Sequence, residues 1–404
     1  MQKSEESNQK QNKNMIIDSI LDNDLYVFSV SYVFFKNFPD ASGVMEFRDR
    51  NNTVYTNEFF ERLKEEIKEL ENLSLKDDEF KYLSSRIKYI PLCYWEWLKS
   101  FRFDFSKVNL WLDTESKLHI TVEDKLYKVG FYEIPILAII SELTSIFNGY
   151  YVIDRRELIS DLDKKIDLSN KEGLIFSEFG TRRRHSFITH EAVIRRIKET
   201  AKYCSGTSNV YFAMKYDMTP IGTMNHFFIE FIGSQFGYNL ANQMAMEVWS
   251  KTYRGDLGTF LTDTYTTQAF FNNLDKYHAL LYNGVRQDSG DEFEFADKMI
   301  NRYKELGVDP KTKIIVFSNA LDFPKFKKIK DYCDGRIKAV AGIGTNLTND
   351  TGYPHPNIVM KLIQAKMNDK QTYRQCIKLS DDLGKHQGDP GEVETCKRVL
   401  EIYE

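Results

Sequence analysis

Short apolar runs that end in glycine, hydroxyl or charged residues recur through the second half of the chain. Seven of them end near residues 178, 207, 222, 262, 287, 318 and 342, mostly about 25 to 40 residues apart, and helix-like segments lie between them. The pattern predicts an α/β barrel whose chemistry lies at the carboxyl ends of its strands. Because a complete barrel of this kind has one strand more, we predict that this barrel is irregular and incomplete.

The pattern changes on both sides of this region. Residues 15–130 predict a mixed α+β domain, with an amphipathic helix over 59–73 and a hairpin over 108–122. A helix that starts near Pro135 is predicted to link this domain to the barrel. The residues after 356 contain a short strand-like run and a terminal helix, which we expect to return to the first domain. The predicted division is a disordered tail over 1–14, an α+β domain over 15–130 with 356–404, and a linking helix with the barrel over 131–355.

The composition fits a large folded core and disfavours several classes of protein. Apolar residues make up 42% of the 404 residues, charged residues 28%, and the net charge is −4. Because the net charge is small and residues of both signs are interspersed, the composition does not indicate nucleic-acid binding. Five widely spaced cysteines without a CxxC pair argue against a disulfide framework or a zinc site and favour the reducing cytoplasm. The longest apolar run, 134–147, is shorter than a bilayer span.

The last of the predicted strand ends is rich in glycine. Gly342, Gly344 and Thr345 lie where a helix would begin, an arrangement that can present backbone N–H groups to a phosphate. The same short run also fits an ordinary glycine turn, so the motif alone leaves both readings open.

A second strand end carries charged residues of both signs. Asp288 and Asp291 lie around a turn that follows Arg286. Such carboxylates can hold sugar hydroxyls or share Mg²⁺ with substrate phosphates, and a guanidinium suits a ligand carboxylate or phosphate. An Asx turn beside a surface arginine is the alternative.

Three adjacent arginines follow the run that ends at Glu178. Arg182, Arg183 and Arg184 could together neutralise a polyphosphate, although a solvated run of charge is the commoner role of such a cluster. Their position directly after a strand-like run favours a functional role for at least one of them. The sequence does not indicate which one.

One histidine stands apart from the others. His226 follows the strand-like run that ends at Gly222 and Thr223. A lone histidine is usually structural, but Asp263 at another strand end can orient its ring, and histidine can act as a nucleophile towards phosphate. Near the start of the ordered chain, Tyr26 can stack on an aromatic ligand or simply pack as one of 23 tyrosines.

Taken together and in this order, these motifs resemble the nicotinate phosphoribosyltransferase family from residue 20 to about residue 385. The most specific matches are 178–184, 206–211 and 222–226, with 261–264, 288–291 and 342–350 in support. The resemblance implies a type II phosphoribosyltransferase fold, in which the irregular barrel lies beside an open-faced α+β sandwich built from both chain ends. It also implies a homodimer with active sites at the subunit interface.

The reaction implied by this resemblance belongs to NAD salvage. Nicotinate and phosphoribosyl pyrophosphate give nicotinate mononucleotide and pyrophosphate, and ATP hydrolysis is coupled through a phosphohistidine in the presence of Mg²⁺. His226 corresponds to the phosphorylated histidine and Asp263 to its orienting partner. Thr223 and Arg286 correspond to contacts of nicotinate, and Tyr26 to a stacking residue supplied by the other subunit.

The remaining assignments concern the phosphoribosyl group. Gly342, Gly344 and Thr345 correspond to the site of its 5-phosphate, and Asp288 is predicted to hold the ribose. The other residues predicted to bind substrate are Glu178, Arg182 and Arg184. A shared Mg²⁺ through Asp288, Asp291 and substrate phosphates completes the predicted site.

Three segments depart from the family pattern, and two other functions compete. Family members often have a lysine at the position of Val27 and Gly-Pro-Trp at the position of 123–125. Ser-Asp-Gly is common in the family at the position of 318–320. The first rival is a nicotinamide phosphoribosyltransferase, which Arg286 disfavours because a neutral amide does not need a guanidinium. The second is a catalytically silent, nucleotide-binding barrel with a regulatory role, which would be expected to lack His226 or Asp288.

Overall fold

The computed structural model describes residues 15–382 and 386–402, so the predicted tail over 1–14 lies outside the described residues. The strands are β1 (Ser42–Asp49), β2 (Val108–Leu112), β3 (Leu118–Lys125), β4 (Phe176–Glu178), β5 (Cys204–Thr207), β6 (Thr259–Leu261), β7 (Gly284–Gln287), β8 (Ile314–Phe317), β9 (Lys338–Ile343), β10 (Ile358–Lys366) and β11 (Arg374–Gln375). The helices are α1 (Leu25–Asn37), α2 (Asn57–Glu69), α3 (Asp77–Arg86), α4 (Leu92–Ser100), α5 (Leu126–Val129), α6 (Glu133–Phe147), α7 (Arg155–Glu172), α8 (Phe187–Thr200), α9 (Val210–Lys215), α10 (His226–Phe236), α11 (Ala241–Tyr253), α12 (Thr267–Asn273), α13 (Lys276–Leu281), α14 (Glu292–Glu305), α15 (Phe323–Cys333), α16 (Thr345–Thr348) and α17 (Pro390–Val399).

An antiparallel sheet of five strands has the order β11-β10-β1-β3-β2. It takes three strands from the first third of the chain and two from residues 358–375, and β10 pairs with β1 along the whole length of β1. Chain segments far apart in sequence therefore form one sheet. The domain boundaries at 130 and 356 remain a prediction.

The predicted hairpin is β2 followed by β3, and Leu112 pairs with Leu118 next to its turn. The carboxylate of Asp113 accepts hydrogen bonds from the backbone N–H groups of Glu115 and Lys117, both at 2.9 Å. An aspartate that bonds to the backbone ahead of it is a standard means of closing a turn. The amphipathic helix predicted over 59–73 is α2, whose first turn is capped by the hydroxyl of Thr56.

The linking helix is longer than the sequence indicated. Helical structure runs over Leu126–Phe147 through α5, a 3₁₀ turn and α6, and these 22 residues are long and apolar enough to cross a membrane. However, 89% of the most apolar window of this segment is buried inside the fold, which is the position of a core helix. Its apolar side chains belong to one continuous core that both sheets share.

The second sheet is parallel throughout and has the order β5-β4-β9-β8-β7-β6. Its last strand in the chain, β9, pairs with its first, β4, with Gly342 opposite Ser177. A pairing of the last strand with the first is what the wall of a barrel requires. The predicted mixed α/β class is confirmed by this sheet together with the antiparallel one.

The predicted seventh strand is not confirmed. The run before Gly222 makes only an isolated bridge, between Thr207 and Pro220. Proline has no N–H group to extend a ladder, and the connection from β5 holds only the short helix α9. Among the residues described, no ladder joins this run to β6, so a closed barrel is not confirmed either.

Candidate active site

A cavity of about 840 Å³ lies where the carboxyl ends of the parallel strands face β10 of the antiparallel sheet. Residues from both sheets line it, which explains why a sequence pattern read strand by strand finds only part of the site. The predicted residues that line this cavity are Tyr26, Arg182, Thr223, His226, Arg286, Asp288, Gly342, Gly344 and Thr345. Ser29 donates a hydrogen bond to the carbonyl of Thr223, which fixes the loop before His226.

His226 is the first residue of α10, and both of its ring nitrogens have partners. Nδ1 lies 2.9 Å from Oγ1 of Thr264, which follows β6. Nε2 lies 3.1 Å from Nζ of Lys378 and 3.4 Å from Oδ2 of Asp288. Burial, with the nearby Lys378 ammonium, lowers the pKa of His226 to about 4, so the ring is neutral at neutral pH.

Asp263 lies behind this histidine and is 1% exposed. Its Oδ2 accepts hydrogen bonds from Ser289 at 2.7 Å and from Lys378 at 3.2 Å, whereas its Oδ1 lies 3.9 Å from Nε2 of His226. Burial raises the pKa of Asp263, but the Lys378 ammonium and His226 outweigh burial and hold that pKa below its ordinary value. The predicted orienting contact is therefore long, and Lys378 bridges the two residues.

Asp288 and Arg286 form a second pair at the end of β7. Nη2 of Arg286 donates to Oδ1 of Asp288 at 3.0 Å, and its Nε donates to Oγ of Ser318 at 2.8 Å. Burial opposes ionisation of Asp288, but Arg286, His226 and Lys378 hold its pKa well below the ordinary value. A guanidinium has five N–H donors, so Arg286 keeps donors for a ligand after these two contacts.

The three adjacent arginines have different surroundings. Arg182 and Arg183 line the cavity, and burial beside Arg182 and Arg50 lowers the pKa of Arg183 to about 9. Arg184 points into the protein, where it is fully buried and makes a bidentate ion pair with Asp22 at 2.7 Å for both hydrogen bonds. Arg182 and Arg183 are thus available to a polyanion, and Arg184 holds the fold.

Glu178 and Asp291, also predicted as site residues, do not line the cavity. Glu178 is fully buried, accepts a hydrogen bond from the hydroxyl of Thr207 at 2.6 Å and lies 3.2 Å from Nε2 of His190. Asp291 caps α14 by accepting hydrogen bonds from the N–H groups of Phe293 and Glu294. The turn that separates it from Asp288 carries the two carboxylates to different surroundings.

The glycine-rich run packs against an aromatic ring. A Cβ atom at Gly342 would come within 2.5 Å of the ring of Phe179, and one at Gly344 within 3.0 Å of the carbonyl oxygen of Phe179. Glycine at 342 therefore lets this ring lie close to the strand, where it also faces the guanidinium of Arg286 at 5.8 Å. The helix that follows, α16, has a single turn, so any phosphate contact here would come from the loop itself.

Several residues in the cavity were not predicted. Lys378, Lys361, Glu133, Phe179 and Arg50 all line it. Lys378 lies between Ile377 and Leu379, both fully buried, so a lysine within a short apolar run was the available signal. No local signal singles out Lys361 or Glu133, because β10 and α6 bring them to the site only through the tertiary fold.

A Mg²⁺ site built from protein groups alone does not fit the cavity residues. His226, Asp263 and Asp288 each offer one ligand atom, and these atoms lie within 4.8 Å of one another. However, Nζ of Lys378 already lies between two of them, and Mg²⁺ prefers an octahedron of oxygen ligands. The arrangement is that of an ion-paired cluster.

The fold and the site define an α/β protein with a cavity, lined by arginines and lysines, at the carboxyl ends of parallel strands. The nicotinate phosphoribosyltransferase (NAPRTase) family matches residues 174–404, and the N-terminal domain of that family matches residues 21–141. The chain belongs to the nicotinate phosphoribosyltransferase family and is an enzyme of this type, acting in NAD salvage.

Relatives and solved structures agree with this assignment. Nicotinate phosphoribosyltransferase of Desulforapulum autotrophicum is 39% identical over 96% of this chain and 99% of its own length. The crystal structure of the Porphyromonas gingivalis enzyme superposes with a TM-score of 0.94 at 44% identity, and covers 96% of this chain and 100% of its own. The Vibrio cholerae structure has a TM-score of 0.90 at 29% identity over 97% and 95% of the two chains.

Proposed function

We propose that this enzyme couples ATP hydrolysis to the synthesis of nicotinate mononucleotide through a phosphohistidine at His226. Membership of the family accounts for the substrates nicotinate and phosphoribosyl pyrophosphate. The observation that carries the ATP step is the state of His226: a neutral imidazole in the cavity wall, with Nδ1 beside Thr264 and Nε2 beside Asp288. A neutral imidazole nitrogen is a nucleophile for phosphorus.

Glycosyl transfer proceeds at the anomeric carbon of the phosphoribosyl group. The ring nitrogen of nicotinate forms the new C–N bond, and the C–O bond to pyrophosphate breaks with its electron pair moving to the pyrophosphate. Positive charge builds on the ribose and negative charge on the leaving group. Arg182 and Arg183, which line the cavity, would stabilise the leaving group, and Asp288, held ionised, would stabilise the ribose.

Nicotinate is proposed to bind between Phe179 and the loop around Thr223. The Arg286 guanidinium lies 5.8 Å from the Phe179 ring and retains free donors, so it can bind the nicotinate carboxylate while the ring stacks. This arrangement favours the acid over the amide, because an uncharged amide would leave the guanidinium without its ion pair. Positioning of the ring nitrogen against the anomeric carbon supplies much of the rate enhancement.

The loop of Gly342, Gly344 and Thr345 is proposed to bind the 5-phosphate. Its backbone approaches Phe179 closely, so the 5-phosphate and the nicotinate ring of the mononucleotide product would lie side by side. Mg²⁺ is proposed to enter with the phosphates of the substrates, since the described protein groups alone do not suit it.

The homodimer with shared sites is part of the same proposal. Tyr26 lies at the start of α1 and lines the cavity of its own chain, so its stacking across a subunit interface rests on the family resemblance alone. Its proposed stacking role across a subunit interface can be tested by mixing Tyr26→Ala with His226→Ala. Shared sites predict that activity partly returns after subunit exchange. Activity of Tyr26→Ala alone, or no recovery after proven exchange, would contradict shared sites.

The overall reaction can be tested with the purified protein. Incubation with nicotinate, phosphoribosyl pyrophosphate and Mg²⁺ should yield the mononucleotide, and ATP should stimulate its formation with release of ADP. Nicotinamide in place of nicotinate should give at least about tenfold less product, the value expected of one lost charge-assisted contact. Equal turnover of both compounds would overturn the assigned role of Arg286, and synthesis unaffected by ATP would overturn the coupling.

A further inference from the structure

Lys378 is the one described residue that contacts both His226 and Asp263 through its side-chain amine. Nζ lies 3.1 Å from Nε2 of His226 and 3.2 Å from Oδ2 of Asp263, and the residue is 8% exposed. It comes from the segment between β11 and α17, far from the strand ends that supply the other site residues. Because burying an ammonium group is costly, the contact of Lys378 with His226 indicates a function for this lysine.

The backbone around Lys378 is held on both sides. Its N–H donates to the carbonyl of Gln387 at 3.1 Å, and the N–H of Gln387 donates back at 2.8 Å. The N–H of Leu379 donates to the carbonyl of Thr264 at 2.9 Å. Since Thr264 also contacts Nδ1 of His226, Lys378 and the histidine are positioned from one and the same turn.

The donors and acceptors decide which ring nitrogen of His226 carries the proton. An ammonium has three donors and no acceptor, so Nε2 accepts from Lys378 at 3.1 Å, and this contact outweighs the longer one of 3.4 Å to the carboxylate of Asp288, which would require a proton on Nε2. The proton of the neutral ring then resides on Nδ1 and is donated to Oγ1 of Thr264. This tautomer leaves the lone pair on Nε2, the nitrogen nearest to Asp288 in the cavity.

We propose that Lys378 is a positioning residue that fixes His226 as its Nδ1–H tautomer and then pairs with the phosphoryl group that His226 receives. The second part rests on the proposed phosphohistidine. The Nε2 lone pair attacks the γ-phosphorus of ATP, the bond from that phosphorus to the β,γ-bridging oxygen breaks, and its electron pair leaves with ADP. The ring keeps its Nδ1 proton, and the positive charge it gains is balanced by the phosphoryl oxygens.

During that step Lys378 must release the lone pair on Nε2 of His226, which requires its ammonium group to move only a short distance. The ammonium ends a flexible four-carbon stem, so it can pass from Nε2 to a phosphoryl oxygen while Asp263 continues to hold it. Asp263 thus acts through Lys378, which explains why its own distance to His226 is 3.9 Å. The Arg286–Asp288 pair faces the same ring from the end of β7. The charged groups around Nε2 therefore come from three segments: the end of β6, the end of β7 and the segment between β11 and α17.

Labelling with γ-³²P-ATP in Lys378→Met, Lys378→Arg and wild type tests the phosphoryl role. Methionine keeps most of the stem and removes the donor, so the maximal labelling rate should fall at least about thirtyfold at saturating ATP, while Lys378→Arg retains a measurable part of it. Lys313→Met is the matched control. That lysine is also buried and donates to the carbonyls of Leu280 and Tyr282, but it lies outside the cavity, so labelling should be normal in the folded variant.

The tautomer can be read independently by ¹⁵N NMR of histidine-labelled protein, with His226→Asn to assign the signals. Wild type should show His226 protonated on Nδ1 alone, and Lys378→Met should show a mixture of both tautomers. A wild-type labelling rate in Lys378→Met, or an unchanged tautomer in that variant, would overturn the proposal. If wild type itself takes no label, the ATP coupling fails, and the tautomer measurement still decides the role of Lys378.

Discussion

Two buried networks of charge lie at the carboxyl ends of the same parallel sheet, and they differ in how completely their carboxylates are hydrogen-bonded. In the sealed network, Arg184 and Asp22 pair through two hydrogen bonds and are 0% and 1% exposed. Asn209 donates to the same carboxylate at 2.7 Å. The open network comprises His226, Asp263, Asp288, Arg286 and Lys378. The side chains of His226 and Asp288 in it are 13% and 25% exposed.

The contrast separates structural charge from functional charge in this fold. A buried carboxylate whose oxygens all accept good hydrogen bonds has no capacity left for a ligand, as Asp22 shows: its Oδ1 accepts from Arg184 and Asn209 and its Oδ2 from Arg184, all at 2.7 Å. In the open network, Oδ1 of Asp263 is buried without a hydrogen-bond partner among the described residues, and Arg286 has donors to spare. Unused capacity beside the cavity, rather than charge itself, marks the site, because Nε of the sealed Arg184 also lacks a partner among the described residues but lies away from the cavity.

The largest effect on stability is expected from breaking the sealed network. Arg184→Met leaves Asp22 buried without its ion pair, so the free energy of unfolding should fall by about 3–5 kcal/mol. Arg196→Met provides the control, because Arg196 makes a similar two-bond pair with Asp163 at the surface and should lose at most about 1 kcal/mol. Denaturant unfolding of both variants measures the contrast, and equal losses would contradict the account of the sealed network.

In the open network, Arg286→Ala should impair binding and leave the fold intact. Loss of a charge-assisted contact worth about 1.5–3 kcal/mol predicts an apparent KM for nicotinate raised about tenfold or more, with a much smaller change for phosphoribosyl pyrophosphate. Arg336→Ala removes a surface partner of Asp297 and serves as the control. Normal saturation by nicotinate in folded Arg286→Ala would remove this residue from the site.

The pH dependence of ATP labelling should reflect the burial of His226. A protonated ring has no lone pair for phosphorus, so labelling is lost as the pH falls through the pKa of the folded state. Because burial and Lys378 lower that pKa to about 4, the initial rate at pH 5.5 should stay close to the rate at pH 7.5. A midpoint near the ordinary histidine value of about 6.5 would show that the ring is not held neutral in this way.

The smallest effect is expected at the edge of the open network, in the departure over 318–320. Ala320 has φ of +46°, a left-handed conformation that costs a residue with a Cβ about 1–2 kcal/mol. Ala320→Gly removes this strain and adds about 0.4–1 kcal/mol of entropy to the unfolded chain, so it should raise stability by up to about 1 kcal/mol. Thermal unfolding measures it, and a clear loss of stability would contradict the strain argument.

Sequence alone located the strand ends well, because each one combines an apolar run with small or charged residues. It placed His226, Arg286 and Asp288 among the site residues, and the structure brings these three together. It could not tell Arg182 from Arg184, since only the packing of the following turn decides which guanidinium faces inward. Lys378 was missed because its local signal, a lysine within a short apolar run, does not indicate that this segment reaches the cavity.

The irregular wall of the parallel sheet shows a second limit of the sequence pattern. The run before Gly222 has the apolar character of a strand, yet Pro220 and the short connection reduce it to a single bridge. Likewise, the helical span over Leu126–Phe147 exceeds the apolar run 134–147 because polar residues in its first turns interrupt the hydropathy but not the helix.

Phosphopeptide mapping after incubation with γ-³²P-ATP decides whether the open network carries a phosphohistidine at His226. Wild type should incorporate an acid-labile, base-stable label on the peptide that contains His226. His226→Asn should take none and lose the stimulation by ATP, while slow synthesis without ATP persists. Equal labelling of the variant, or label on another residue of wild type, would contradict the claim.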